Sequence, residues 1–179
     1  MDVTSDLLTR DAVRRGGHFV SVDGFFSLNS LKSAMTTSSL QLNRYYAGHP
    51  LYGGCYSKDQ LKSKKPGGKF WILNMQNSGE GSGTHWVSVF DCLPTVCVYY
   101  DPYGIYPAPE IARFMKKSGK RCVYSMEQYQ QLSSHNCGRF VIHFIDELLQ
   151  RPEQWEDFDR GLTDHPSARN ERVVGAIKL

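Results

Sequence analysis

The sequence has no apolar run long enough to cross a bilayer: Phe140 to Ile145, among the longest, contains His143, and Met1 to Arg15 is charged throughout. No membrane anchor and no signal peptide are therefore expected. A paired cysteine framework is missing as well. The five cysteines (Cys55, Cys92, Cys97, Cys122, Cys137) are odd in number and scattered, which points to free thiols in a reducing compartment. Cys92 and Cys97 are the nearest pair, yet no second Cys or His pair has matching spacing, so no metal site is expected. Charge of one sign is scarce too, the net charge being +3. Lys58, Lys62, Lys64, Lys65 and Lys69 do cluster, as do Lys116, Lys117, Lys120 and Arg121. No aromatic residues interleave with these lysines as in single-strand stacking platforms, so solvated loop charge is favoured over a DNA-binding surface.

Internal repeats and low-complexity tracts are also absent. What remains is a chain of 179 residues, 40% apolar and 12% aromatic, enough for one domain with an ordinary core. Residues 1–179 are read as that single domain. Glycines from Gly16 onward interrupt any helical period, so Met1 to Ser38 reads as turns, a short strand and a helix from Ser27. A short helix is expected between Leu40 and Leu51. PLYGGCYSKDQL reads as a loop, with Ser57 and Gln60 as a capping box for a short turn. From Lys69 the pattern becomes strands divided by turn signals: FWILNM at Phe70, HWVSVFD at His85, VCVYYD at Val96 and CVYSM at Cys122. EIARFMKK from Glu110 has one apolar helical face. The clearest helix is CGRFVIHFIDELLQ from Cys137, with pairs at Phe140/Val141, Phe144/Ile145 and Leu148/Leu149 and a stop at Pro152.

Cys137 is the candidate nucleophile. A thiol must be largely thiolate to attack a carbonyl, and a helix N-terminus stabilises that anion through its partial charge and unpaired N–H groups. Asn136 suits the N-cap position, and Gly138 leaves room for a substrate beside the sulfur. Taken alone, a small buried apolar cysteine is the commoner case. A base is also required. His143 is six residues along the same helix and faces away; His135 sits in the approach loop; His18, His49 and His165 lack a fixing element. His85 begins a strand after a glycine-rich loop, so its ring can stand at a sheet end on a firm backbone. Asp101 closes the next strand, where it can orient the imidazole and also form the Asp-Pro-Tyr-Gly turn.

GTHWVSVF with His85, YYDPYG with Asp101 and QLSSHNCG from Gln131 to Gly138 together resemble the peptidase clan of adenain and the SUMO-specific proteases. The order His, Asp, Gln, Cys matches that clan, as do the separations of 16 residues from His85 to Asp101 and six from Gln131 to Cys137. The resemblance covers about residues 50 to 150. It implies an α+β fold with a central mixed β-sheet flanked by helices, and the nucleophile at the N-terminus of a buried helix. It also implies that Gln131 and the Cys137 N–H form an oxyanion hole, a role for which Gln128 and Gln130 are near neighbours. The adenain-like branch implies a cysteine endopeptidase cleaving after glycine in virion precursor proteins, acting as a monomer in the host nucleus or cytoplasm and in the virion. Adenovirus enzymes usually carry Glu at the position of Asp101, so the match is to the wider adenain-like group. Trp86 would then wall a glycine-selective tunnel beside Gly138, or else be a core residue. Adenain's activating peptide attaches by disulfide to a strand cysteine, and Cys122 occupies a comparable place; DNA is the other activator that the resemblance implies. A deubiquitinase or deSUMOylase of the same clan, and a non-catalytic DNA- or protein-binding module, are the alternative readings.

Overall fold

Strict alternation along three strands divides the apolar side chains between two faces of one sheet. In β2 (Phe70–Asn74), β3 (Trp86–Phe90) and β4 (Val96–Tyr100) every residue is buried, so both faces must be covered. Phe70, Ile72, Trp86, Phe90, Val98 and Tyr100 point to one core; Trp71, Leu73, Val87, Val89, Cys97 and Tyr99 point to the other. The computed structural model describes residues 36–62, 67–81, 83–159 and 161–179, all within the compact unit Met35–Leu179. The turns, strand and helix expected before residue 36, with His18, and Lys64 and Lys65 of the basic cluster, lie outside the described residues.

The sheet has five strands in the order β1-β2-β3-β4-β5, completed by β1 (Tyr52–Ser57) and β5 (Arg121–Tyr124). Both outer pairings are parallel and both inner ones antiparallel, so the sheet is mixed. Helix α1 (Ser39–Tyr45) precedes β1, α2 (Pro109–Lys116) joins β4 to β5, and α3 (Cys137–Gln150) and α4 (Ala168–Gly175) follow. One face is covered by α3, the other by Ile111, Phe114 and Met115 of α2 with Leu61 of a short 3-10 turn. The fold is thus α+β, with Cys137 buried at the start of α3.

Helix α3 is seated by its aromatic face. Phe144 stacks on Tyr100 with ring centroids 4.5 Å apart and meets Phe90 and Phe158 edge-on. Each fully buried Phe, Ile or Leu on this face contributes about 2 kcal/mol, and Phe144→Ala would remove about 3–5 kcal/mol. At the other side Tyr45, the last residue of α1, and Tyr46, its C-cap, donate to the Asp146 carboxylate at 2.7 and 2.9 Å. The angle at which α3 delivers its N-terminus to the sheet end is therefore fixed from two directions.

Two local expectations change. The segment read as a loop from Pro50 is the edge strand β1, a bulge between Tyr52 and Gly54 setting its register. Gly53 lowers strand propensity but is required there, because a side chain would run into the Trp71 indole and the Gly67 carbonyl to which that indole donates at 3.0 Å. Half of the Ser57/Gln60 capping box is present, the Ser57 N–H donating to Gln60 Oε1 at 3.0 Å. A complete one starts α1, where Ser38 and Gln41 cap each other reciprocally.

Candidate active site

Antiparallel pairing brings the start of β3 and the finish of β4 to the same end of the sheet. His85 directly precedes β3, its backbone carbonyl held by the Met75 N–H at 3.0 Å. Asp101 directly follows β4 and has no exposed surface. The His85 Nε2–H donates to Asp101 Oδ1 at 2.8 Å. The same carboxylate accepts from the Tyr103 N–H at 2.8 Å and the Tyr99 hydroxyl at 3.3 Å, and the Asp101 carbonyl accepts from the Gly104 N–H at 2.9 Å to close the turn. Asp101 thus bonds the His85 ring and closes the turn together.

With Nε2 committed to Asp101, Nδ1 is the nitrogen left for another group. Burial pulls the imidazole pKa down. The hydrogen bond to Asp101, the carboxylate charge and the neighbouring Cys137 outweigh it and raise the pKa from 6.5 to about 9. Nδ1 is buried and has no hydrogen-bond partner of its own. Resting sites of this kind commonly tighten only when substrate binds. Tyr103 stacks on the ring at 4.9 Å, with planes inclined by 29°.

Cys137 is the first residue of α3 and is 3% exposed. At this position the positive end of the helix dipole lies at Cys137, although the Arg139 and Phe140 N–H groups already donate to the Asn136 carbonyl. Burial pushes the Cys55 and Cys97 thiols up to about 12, Cys92 to about 11, and Cys122 upward. Asn136 stands at the N-cap position but makes no side-chain cap. Its amide donates to Glu171 Oε2 at 2.8 Å, and its carbonyl oxygen accepts from Arg139 at 3.3 Å. This is a difference from the expected cap, with a long-range partner as its cause.

The remaining predicted residues are placed as follows. Gln131 is half-buried in the loop that leads to α3, its backbone N–H donating to Glu171 Oε1 at 3.0 Å. Gln130, its neighbour, is fully buried and donates to the Ser134 carbonyl at 3.1 Å. Trp86 is 1% exposed, belongs to the core and donates to the Thr37 carbonyl at 2.7 Å. It also borders a polar cavity of about 230 Å³ with Asn74, Ser57 and Gln60. Beside Gly138 the open space expected for substrate is taken by Thr37, whose side chain lies 2.6–2.9 Å from where a Cβ would be. Cys122 is half-buried on the edge strand β5, in register with Cys97. His135 and His165 are exposed, and His49 packs on Tyr46 and Phe70. Lys120 is pinned by Asp91 at 2.7 Å, which removes it from the free basic surface. Tyr103, Glu171 and Thr37 escaped the sequence reading. Only Tyr103 left a trace there, as part of the Asp-Pro-Tyr-Gly turn.

Among the described residues no helix is long and apolar enough to cross a membrane, and no group of three or more His, Cys, Asp or Glu could hold a metal ion. In comparison with known proteins, the model for the Ulp1 protease family, C-terminal catalytic domain, matches residues 71–172. No curated protein sequence matches the chain. Among solved structures it is similar to the ASFV pS273R protease, with TM-score 0.51 and 14% identity over 76% of this chain. The match spans 63% of the length of that protease. The Xanthomonas campestris effector protein XopD bound to ubiquitin matches with TM-score 0.36 and 16% identity, over 93% of this chain and 98% of that one.

Proposed function

The chain belongs to the Ulp1 protease family and is a cysteine peptidase, and from that premise we propose an endopeptidase that cleaves after glycine with Cys137 as its nucleophile. One observation carries this reading: His85 is held by a buried carboxylate, and that carboxylate and Cys137, at the first turn of a helix, both raise its pKa. In the proposed reaction His85 Nδ1 takes or holds the Cys137 proton, and the sulfur adds to the glycine carbonyl carbon. The oxyanion formed accepts from the Cys137 N–H and from the Gln131 side chain. His85 then gives its proton to the departing amine as the C–N bond breaks, and water, deprotonated by His85, releases the acyl group. Asp101 keeps the ring in the tautomer that leaves Nδ1 free to act. The whole of residues 1–179 is taken as the peptidase domain, working as a monomer.

We infer that the substrates are precursor proteins with Gly-rich sites, as in virion maturation. The motif resemblance to adenain-like enzymes supports this, and so does the fold shared with the ASFV protease. The family match supports a second reading, removal of ubiquitin-like modifiers after a Gly-Gly tail. A panel of Gly-site peptides and ubiquitin-like precursors, read by mass spectrometry, separates the two. Cys137→Ala abolishes cleavage of either; a variant that still cleaves, or binds DNA with no cleavage by the wild type, overturns the proposal.

A further inference from the structure

The loop from Gln131 to Asn136 carries one proposed oxyanion donor and delivers the other, yet short loops of this kind have no ladder of their own to fix them. Its anchor comes from the far end of the chain. Glu171 lies on α4, and its carboxylate takes three bonds from this loop. Oε1 accepts from the Gln131 N–H at 3.0 Å, and Oε2 accepts from the Ser134 hydroxyl at 2.6 Å and the Asn136 amide at 2.8 Å. Ser134 in turn accepts from the Asn136 N–H at 3.1 Å and from Gln130 Nε2 at 3.4 Å. The Ser134 carbonyl meets the Tyr103 hydroxyl at 3.5 Å, and Tyr103 is the residue stacked on His85.

The placement of α4 does not depend on Glu171. Ser167 caps the helix by accepting from the Asn170 N–H at 3.1 Å. Asn170, fully buried, donates to the carbonyls of Tyr129, Thr163 and His165 at 3.0–3.2 Å, and Val174 is fully buried in the core. Two successive residues therefore do different work. Asn170 docks the helix, and Glu171 spends its acceptors on a loop that the docking alone would leave loose. Charged acceptors form stronger hydrogen bonds than neutral ones, and three converging on one rigid element restrict the loop at both of its ends.

We propose that Glu171 is a positioning residue for the oxyanion hole, holding Gln131 and the Cys137 N–H in register through the 131–136 loop. This rests on the reading of Cys137 and Gln131 given above. Displacement of an aligned donor by about 1 Å costs about 100-fold in rate, and removal of one costs about 100- to 1,000-fold. Glu171→Ala is accordingly expected to lower kcat on a Gly-site peptide by about 10- to 100-fold with KM changed by less than about 3-fold. Glu171→Gln loses less, since its amide can keep either the Gln131 bond or the Asn136 bond but not both.

Two reagents separate positioning from general damage. Alkylation of Cys137 by iodoacetamide forms no oxyanion, so its rate in both variants should stay within about 2-fold of wild type. A peptide aldehyde ending in glycinal forms a hemithioacetal whose oxygen enters the oxyanion hole, so it should bind Glu171→Ala about 10- to 100-fold more weakly. Wild-type kcat in Glu171→Ala overturns the proposal while leaving the nucleophile assignment intact. Equal losses of kcat and of alkylation also overturn it, because the site as a whole would then have collapsed. Cleavage that persists in Cys137→Ala overturns the assignment and this proposal with it.

Discussion

Replacing Asp101 with asparagine tests the electrostatics of the site most directly. The carboxylate is buried, accepts from His85 Nε2 at 2.8 Å, and helps to raise the imidazole from 6.5 to about 9 against a burial effect of opposite sign. That difference corresponds to about 3 kcal/mol of preference for imidazolium. Asparagine keeps an oxygen for the Tyr103 N–H, so the turn can survive. The same oxygen faces Nε2, so that hydrogen bond and the tautomer are kept while the negative charge that favoured imidazolium is removed. Burial, no longer opposed by the Asp101 charge, returns the pKa toward 6.5. Wild-type kcat/KM should hold to about pH 9 before its alkaline decline; in Asp101→Asn that limb moves down by about two pH units and the maximum falls by about 100-fold or more. The rate of Cys137 alkylation against pH provides an independent reading, since burial keeps Cys55, Cys92 and Cys97 as thiols below about pH 11. Stability moves in the same window. The folded chain holds this proton more tightly than the unfolded one, so the stabilisation is complete below about pH 6.5 and lost as pH rises through about 9. An Asp101→Asn enzyme with an unshifted alkaline limb and less than about 5-fold loss would refute the reasoning.

Tyr103 stacks on His85 at 4.9 Å, so Tyr103→Leu should cost about 2- to 12-fold in kcat/KM, the worth of one aromatic contact, while Tyr103→Phe stays within about 2-fold. Steady-state kinetics on a Gly-site peptide reads both. At Gly53 an added methyl group meets the Trp71 indole and the Gly67 carbonyl, and Gly53→Ala should lower unfolding free energy by about 1–3 kcal/mol in a urea titration.

Period-two and period-four patterns made the interior of the fold readable. The segments from Phe70, His85, Val96 and Cys137 became β2, β3, β4 and α3 because burial on both faces leaves few ways to arrange such residues. Edge strand β1 was not readable, since Gly53 and Gly54 answer to the Trp71 indole and a bulge and not to strand propensity. His85 and Asp101 could be paired in advance because the two strands they bound are consecutive. Glu171 could not: its role depends on a fold that returns the chain 35 to 40 residues later to its own loop. Asn136 shows the same limit. Its type suits a cap, but the long-range acceptor captures the amide.

The pairing pattern of the sheet also sets an order of assembly. Strands β2, β3 and β4 pair antiparallel with their sequence neighbours, so the meander carrying His85 and Asp101 needs only short-range closure, whereas each parallel edge needs a crossover. During synthesis His85 and Asp101 can therefore be in place before residue 137 has emerged, whereas Glu171 reaches its loop only 35 to 40 residues after the loop itself has been made. A nascent chain of this protein holds its thiol beside an oxyanion loop not yet fastened. Under the proposed mechanism its competence to cut waits on the folding of α4.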